Sequence, residues 1–290
     1  MFCWETGSFY PFTYLAIPFK MNIKLKQDEI KFHPTTEKET LAFLKEEWQQ
    51  TLTSPQDGMW ETLTDLAAHW HINKDNQIIG YACINLSGWL LQFYIQPACL
   101  PKGISILEQF IQDREINMAL IGTNNPVALS LAMHFQKQIE IHTYLFTHYF
   151  ETELSEHQGE FDIVRAKNLE NLVNFLHDSL GSPRDWLKGY VSKLIEKNEM
   201  FFLKKGNEIL GTCEVRKSAS QPDIADVGMV VAPDQRNKGL GTYLLGKAKG
   251  IALEQGKQPI CSCEKNNIGS LKAIHNNGFR STHQMLLMEF

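Results

Sequence analysis

Short apolar runs alternate along this chain with longer stretches whose apolar residues recur at helical spacing. In the second half, residues 161–166 read as a strand and 169–180 as a helix. A second helix over 185–197 follows Ser182-Pro183-Arg184, with Asp185 as its expected N-cap. Runs 200–203 and 209–215 read as a hairpin around Lys204-Lys205-Gly206-Asn207. A buried strand, 224–231, leads to an amphipathic helix over 242–253. Leu240, Leu244, Leu245, Ala248 and Ala252 fall on one face of that helix. Residues 259–263 read as a short buried strand, 266–271 open a short helix, and 279–285 with 286–290 read as a closing strand pair.

The pattern occurs twice. Asn207 to Val215, a turn and a strand containing Gly211 and then Cys213, parallels Asn76 to Ile84, with Gly80 and then Cys83. Val231 to Gly241 parallels Ile95 to Ser105, and Asn266-Asn267 parallels Asn124-Asn125. The separations are 131, 136 and 142 residues. They grow as loop insertions between equivalent elements would make them grow, and 218–222 is one such insertion. The expected organisation is an extension over 1–20, a first unit over 21–150, a polar linker over 151–159 and a second unit over 160–290. The aromatic-rich first twenty residues lack the basic start and apolar core of a signal peptide, and Met21 is a candidate natural start.

Composition narrows the classes. A chain of 290 residues that is 43% hydrophobic has room for two ordinary cores. A net charge of −5 without a basic tract argues against a nucleic-acid binder. No run approaches the ~18 apolar residues of a membrane span. Six scattered cysteines form no Cys-x-x-Cys pair, so neither a metal site nor a disulfide framework is expected. Cys261 and Cys263 read as small buried residues on one strand face. The expected location is the reducing cytoplasm.

Chemistry concentrates between the strand 224–231 and its helix: Val231-Ala232-Pro233-Asp234-Gln235-Arg236-Asn237-Lys238-Gly239-Leu240-Gly241. A helix N-terminus has backbone N–H groups without intrahelical partners and attracts anions. Gly239 and Gly241 allow close approach, while Arg236 and Lys238 bring charge suited to a diphosphate. The nucleotide P-loop pattern is absent. Position 244 is Leu where a dinucleotide loop needs its third Gly.

The spacing Arg-x-x-Gly-x-Gly after a Val-x-Pro strand end resembles motif A of the GNAT superfamily of acetyl-CoA-dependent N-acyltransferases. Asn267-x-x-Ser270 at a helix start and the closing Gly278-Phe279 resemble its motif B. The resemblance implies an α/β (α+β) fold of two tandem GNAT-like domains, each a mixed, mostly antiparallel twisted sheet flanked by helices. It implies acetyl-CoA as co-substrate, bound by Met229, Val230, Val231, Arg236, Asn237, Lys238, Gly239, Leu240, Gly241, Thr242, Asn267 and Ser270, in a gap between splayed strands. It implies direct transfer of an acetyl group to an amine acceptor, small molecule or peptide. Asp226 is the expected proton acceptor, with Glu264 and Glu214 as rivals. The Tyr that many relatives carry after motif B is Ile274 here, so the leaving thiolate has no assigned acid; His275 reads as a surface residue. Trp186 and Tyr190 lie where relatives shape the acceptor pocket. The first half has Leu100 in place of Arg236, Ser105 in place of Gly241, a Pro101 without an N–H, and Gln136-Lys137 in place of Gly-Phe, although Lys102 and Gly103 remain. It reads as a degenerate copy that does not bind CoA. A non-catalytic CoA-binding sensor or scaffold is the alternative. The acceptor's identity and the oligomeric state have no signature.

Overall fold

The computed structural model describes residues 29–154 and 156–290. The expected extension and the candidate start at Met21 lie outside the described residues. The first half runs β1 (Ile30–Thr35), α1 (Lys38–Gln49), α2 (Gly58–Asp65), β2 (Ala68–Lys74), β3 (Gln77–Ile84), β4 (Leu90–Ile95), α3 (Gly103–Asp113), β5 (Met118–Gly122), α4 (Pro126–Ala132) and β6 (Gln138–His148). The second half repeats this order: β7 (Glu160–Ile163), α5 (Leu169–Leu180), α6 (Arg184–Glu196), β8 (Met200–Lys205), β9 (Glu208–Lys217), β10 (Ile224–Val231), α7 (Leu240–Glu254), β11 (Gln258–Glu264), α8 (Ile268–Asn276) and β12 (Phe279–Glu289).

The register confirms the repeat. Gly80 pairs with Ile95 and Gly211 with Val231. Asn125 and Asn267 both cap their helices, accepting from the N–H groups of Ala128 (3.3 Å) and Ser270 (3.1 Å). The two cysteines of the repeat are not equivalent, however. Cys213 packs beneath α7, whereas Cys83 lies on the opposite face against Trp60.

The twelve strands among the described residues form one twisted, mostly antiparallel sheet, ordered β1-β2-β3-β4-β5-β12-β6-β11-β10-β9-β8-β7. The halves exchange their last strands: β12 pairs with β5 of the first half, and β6 pairs with β11 of the second. The expected closing strand pair is therefore corrected to one strand. No turn residue interrupts Gln284-Met285-Leu286-Leu287, and register shifts at Ser281/His283 and Met285/Leu286 absorb the bend. Met285 and Met288, buried in first-half clusters, tie the C-terminal strand to that half. Asp185 is also corrected. It lies inside the first turn of α6, whose N-cap is Pro183.

One sheet face carries α3, α4, α7 and α8, the other α1, α2, α5 and α6. Ala225, Val227, Met229 and Val231 pack with α7, while Val230 packs with α5 and α6. By strand alternation Asp226 and Gly228 share the face of Val230. Leu240, Leu244, Leu245, Ala248 and Ala252 are all buried, as their spacing requires.

Gly278, at φ 80°, ends α8 in the left-handed region, and a Cβ there would collide with the Phe150 carbonyl oxygen. Gly278→Ala is expected to lower stability by about 2 kcal/mol or more in urea unfolding. An unchanged midpoint would show that the junction yields without cost.

Candidate functional site

Two parallel pairings interrupt the antiparallel order among the described residues, and both come apart. β10 and β11 pair at Ile224/Gln258, Ala225/Pro259 and Asp226/Ile260, and no further. Beyond that vertex β10 continues to Val231 with no partner on its β11 side, and Gly228 to Val231 become half-buried. Gln258–Glu264 continues on its own course, paired with β6. The wedge has an unpaired backbone edge on β10, which can hydrogen-bond an extended ligand as a strand would.

The loop at the wedge mouth turns through two left-handed residues, Asn237 (φ 61°) and Gly239 (φ 84°), before α7 begins. The backbone N–H groups of residues 236–242 donate to no acceptor among the described residues. Leu240 is buried as the anchor of α7, Gly241 and Thr242 are half-buried, and residues 236–239 are exposed. Arg236 stays beside the loop. Its Nη2 donates to the Ser179 carbonyl at 2.9 Å and its Nε to the Val231 carbonyl at 3.4 Å. Lys238 donates to Gln235 Oε1 at 3.3 Å. At Gly241 an added Cβ would find only ordinary contacts, 3.7 Å from Ala273, Met229 and Val231. Protein packing therefore does not demand a glycine there. Free N–H groups at a helix start, flanking cations and an unpaired strand edge together fit a diphosphate joined to an extended arm. Asn267 caps α8 and is exposed; Ser270 is half-buried one turn on.

At the vertex lies a buried polar cluster. Asp226 is 2% exposed. Its Oδ2 receives Arg216 Nη2 at 2.8 Å and the Gly58 N–H at 2.8 Å; its Oδ1 has no partner among the described residues. Arg216 Nη1 also reaches Glu214 Oε1 at 3.1 Å and donates to the Tyr190 hydroxyl at 2.9 Å. That hydroxyl donates to Glu214 Oε2 at 2.6 Å. Gly228 gives Glu214 its room: a Cβ there would lie 2.7 Å from Glu214 Oε1. Burial pushes the Asp226 pKa up to about 7; Arg216 pulls it down, Asp57 adds to the rise, and the Gly58 N–H lowers it. Burial, with Glu214 next, also raises Tyr190. Trp186 stacks on Tyr190 at 5.1 Å and is 44% exposed.

The structure brings Asp226 and Glu214 together and leaves Glu264 apart. Glu264 is exposed at the outer end of β11, opposite Thr143 of β6. Ile274 is buried and His275 is a surface residue. Arg216, Asp57 and Gly58 were not anticipated. For Arg216 a signal existed, because Glu214 and Arg216 place opposite charges on one face of an otherwise apolar strand. Asp57-Gly58 carries none.

The equivalent place in the first half is closed. Leu90 pairs with Ala119 at its vertex, where Asp226 pairs with Ile260. All six residues of β4 are buried. Trp48, Gln56, Trp60 and Asn124 fill the neighbourhood, leaving a cavity of about 10 Å³. A 3-10 turn over Pro97–Lys102 runs directly into α3 without a left-handed residue. Leu131 and Ile95 crowd the helix start at Gly103.

Among the described residues no cluster of acids, histidines and cysteines could hold a metal ion, and no helix is long and apolar enough to cross a membrane. Residues 37–149 match the family model described as acetyltransferase (GNAT) domain, and residues 163–279 that of the acetyltransferase (GNAT) family. Comparison with curated proteins gave no match. An acetyltransferase from the GNAT family of Colwellia psychrerythraea is similar at 28% identity and TM-score 0.83, over 90% of this chain and 99% of that one. A GCN5-related N-acetyltransferase from Sphaerobacter thermophilus shares the fold at 15% identity and TM-score 0.64, over 90% and 95% of the two chains. So does a tandem GNAT protein from the clavulanic acid biosynthesis pathway, at 12% identity and TM-score 0.64, over 90% and 98%.

Proposed function

The chain belongs to the acetyltransferase (GNAT) family, with two family domains in tandem, and from that premise we propose that its second half transfers an acetyl group from acetyl-CoA to an amine. The observation that carries this reading is the wedge beyond Asp226/Ile260, opening onto a loop of unpaired N–H groups. The diphosphate lies on the N–H groups of Asn237 to Thr242, between Arg236 and Lys238. The pantetheine arm runs along Met229, Val230 and Val231, with Asn267 and Ser270 beside it. Acetyl-CoA supplies an activated thioester. The protein holds it within reach of the amine, which is the chief source of rate.

A primary amine must lose its proton before attack, and Asp226 is the group that takes it. Asp226 lies at the closed end of the wedge, against the first turn of α2, and has one carboxylate oxygen without a partner among the described residues. Its pKa of about 7 suits a base at neutral pH. Glu214 and Tyr190 line the acceptor side next to it. With Ile274 at the place of the family's Tyr, the leaving thiolate takes its proton from water. The first half, with its wedge filled and Leu90 at the vertex, does not bind CoA. The proposed setting is the cytoplasm, whose reducing conditions suit cysteines scattered without the spacing of a disulfide framework.

Incubation with acetyl-CoA, a thiol reagent and pools of amines, including polyamines, amino acids and peptides, is expected to release thiol above the amine-free rate. Tight acetyl-CoA binding without release from any pool would instead identify a sensor or scaffold.

A further inference from the structure

The acid at the vertex of the second half is held by the first. We propose that the opening turn of α2 is a working part of the second-half site: the Gly58 N–H and the Asp57 carboxylate position Asp226 for proton transfer. The proposal rests on Asp226 being the proton acceptor.

The N–H groups of a helix's first turn have no partner within the helix. The Gly58 N–H finds its partner 168 residues away, on Asp226 Oδ2 at 2.8 Å. Gly58 is bare where the two meet: a Cβ would lie 3.2 Å from Asp226 Oδ2 and 3.3 Å from its Cβ. Asp57 caps α2 with one oxygen, accepting the Trp60 N–H at 2.9 Å. Its other oxygen is buried without a partner among the described residues, as is Asp226 Oδ1. Arg216 from β9 and Asp57 from α2 act on Asp226 directly; Glu214 from β9 and Tyr190 from α6 bond the same guanidinium, and Cys261 of β11 lies on the opposite sheet face, close enough to feel the carboxylate's charge. Three carboxylates thus gather round one guanidinium. Like charges in a shared buried site resist ionising together, so Asp57 makes Asp226 hold its proton more tightly. The Gly58 N–H acts the other way by bonding the charged form. The half that lacks a working wedge thereby serves the half that has one, and Asp57 and Gly58 are positioning residues.

The full chain, labelled with [γ-13C]aspartate, tests this without any acceptor. The Asp226 carboxyl signal is identified by its loss in Asp226→Asn. In the wild type its titration midpoint is expected near 7. Asp57→Asn keeps a helix-capping oxygen but removes the charge, and should move the midpoint lower by roughly one pH unit. Gly58→Pro removes the donor and sets its ring Cδ where the N–H now points at Asp226 Oδ2, so the carboxylate must turn away from that hydrogen bond and its midpoint should move higher. Proline is accepted at the first helical position, and Asp57 at ψ 134° already has the backbone a following proline requires. Opposite shifts in two folded variants are not what a loosened contact between the halves would produce. Folded Asp57→Asn with the wild-type midpoint overturns the proposal, whether or not Gly58→Pro folds. Failure of the catalytic reading looks different: the midpoints shift as expected, but Asp226→Asn transfers acetyl at the wild-type rate.

Discussion

Replacing Asp226 by Asn is expected to lower kcat by about 10²- to 10⁴-fold while acetyl-CoA affinity stays within a few-fold. The argument is one of place and protonation. Asp226 marks the last pairing of β10 with β11, so it lies where an arm inserted between those strands must end. Its free oxygen is the atom that would take the proton. A base works deprotonated. With a pKa of about 7, kcat/KM should therefore rise with pH up to neutrality and level off above it. Asp226→Asn should lose that limb. The substitution also removes a partner of a buried guanidinium, which costs stability, but Arg216 keeps Glu214 at 3.1 Å. A melting curve recorded alongside separates lost catalysis from lost fold. A folded Asp226→Asn protein within three-fold of the wild-type kcat would remove Asp226 from the mechanism.

Arg236→Glu should weaken acetyl-CoA binding by about 100-fold or more. A hydrogen bond to a charged group contributes roughly 1.5–3 kcal/mol, and reversing the charge adds repulsion at the same place. Arg236 is exposed and, among the described residues, bonded only to the Ser179 and Val231 carbonyls, so the fold should tolerate the change. Arg236→Lys should fall between, because Lys keeps the charge and loses the fork. Isothermal calorimetry reads all three proteins directly.

Much of the molecule was legible beforehand because its signals are local. The strand-loop-helix around Gly239 announces itself through apolar period, glycine placement and charge, and the caps at Asn125 and Asn267 through residue type. The repeat was visible because both halves keep the same turns, and Gly80 and Gly211 occupy matching pairs. The exchange of β6 and β12 was not. Which sheet a last strand joins is decided by the edge it meets, and Met285-Leu286 carries no mark of its destination. Asp57-Gly58 was missed for a related reason. Its meaning lies in a contact spanning 168 residues, formed only once both halves are folded. Asp185 misled because an acid after Ser-Pro-Arg satisfies the capping pattern, whereas the chain starts its helix one residue earlier.

The central claim is that the loop from Arg236 to Thr242, in the second half alone, grips the diphosphate of acetyl-CoA. Calorimetric titration of the full chain with acetyl-CoA tests it most directly. The expected result is one molecule bound per chain, with binding abolished or weakened at least 100-fold by Arg236→Glu. Two molecules per chain, or an affinity indifferent to Arg236→Glu, would contradict it.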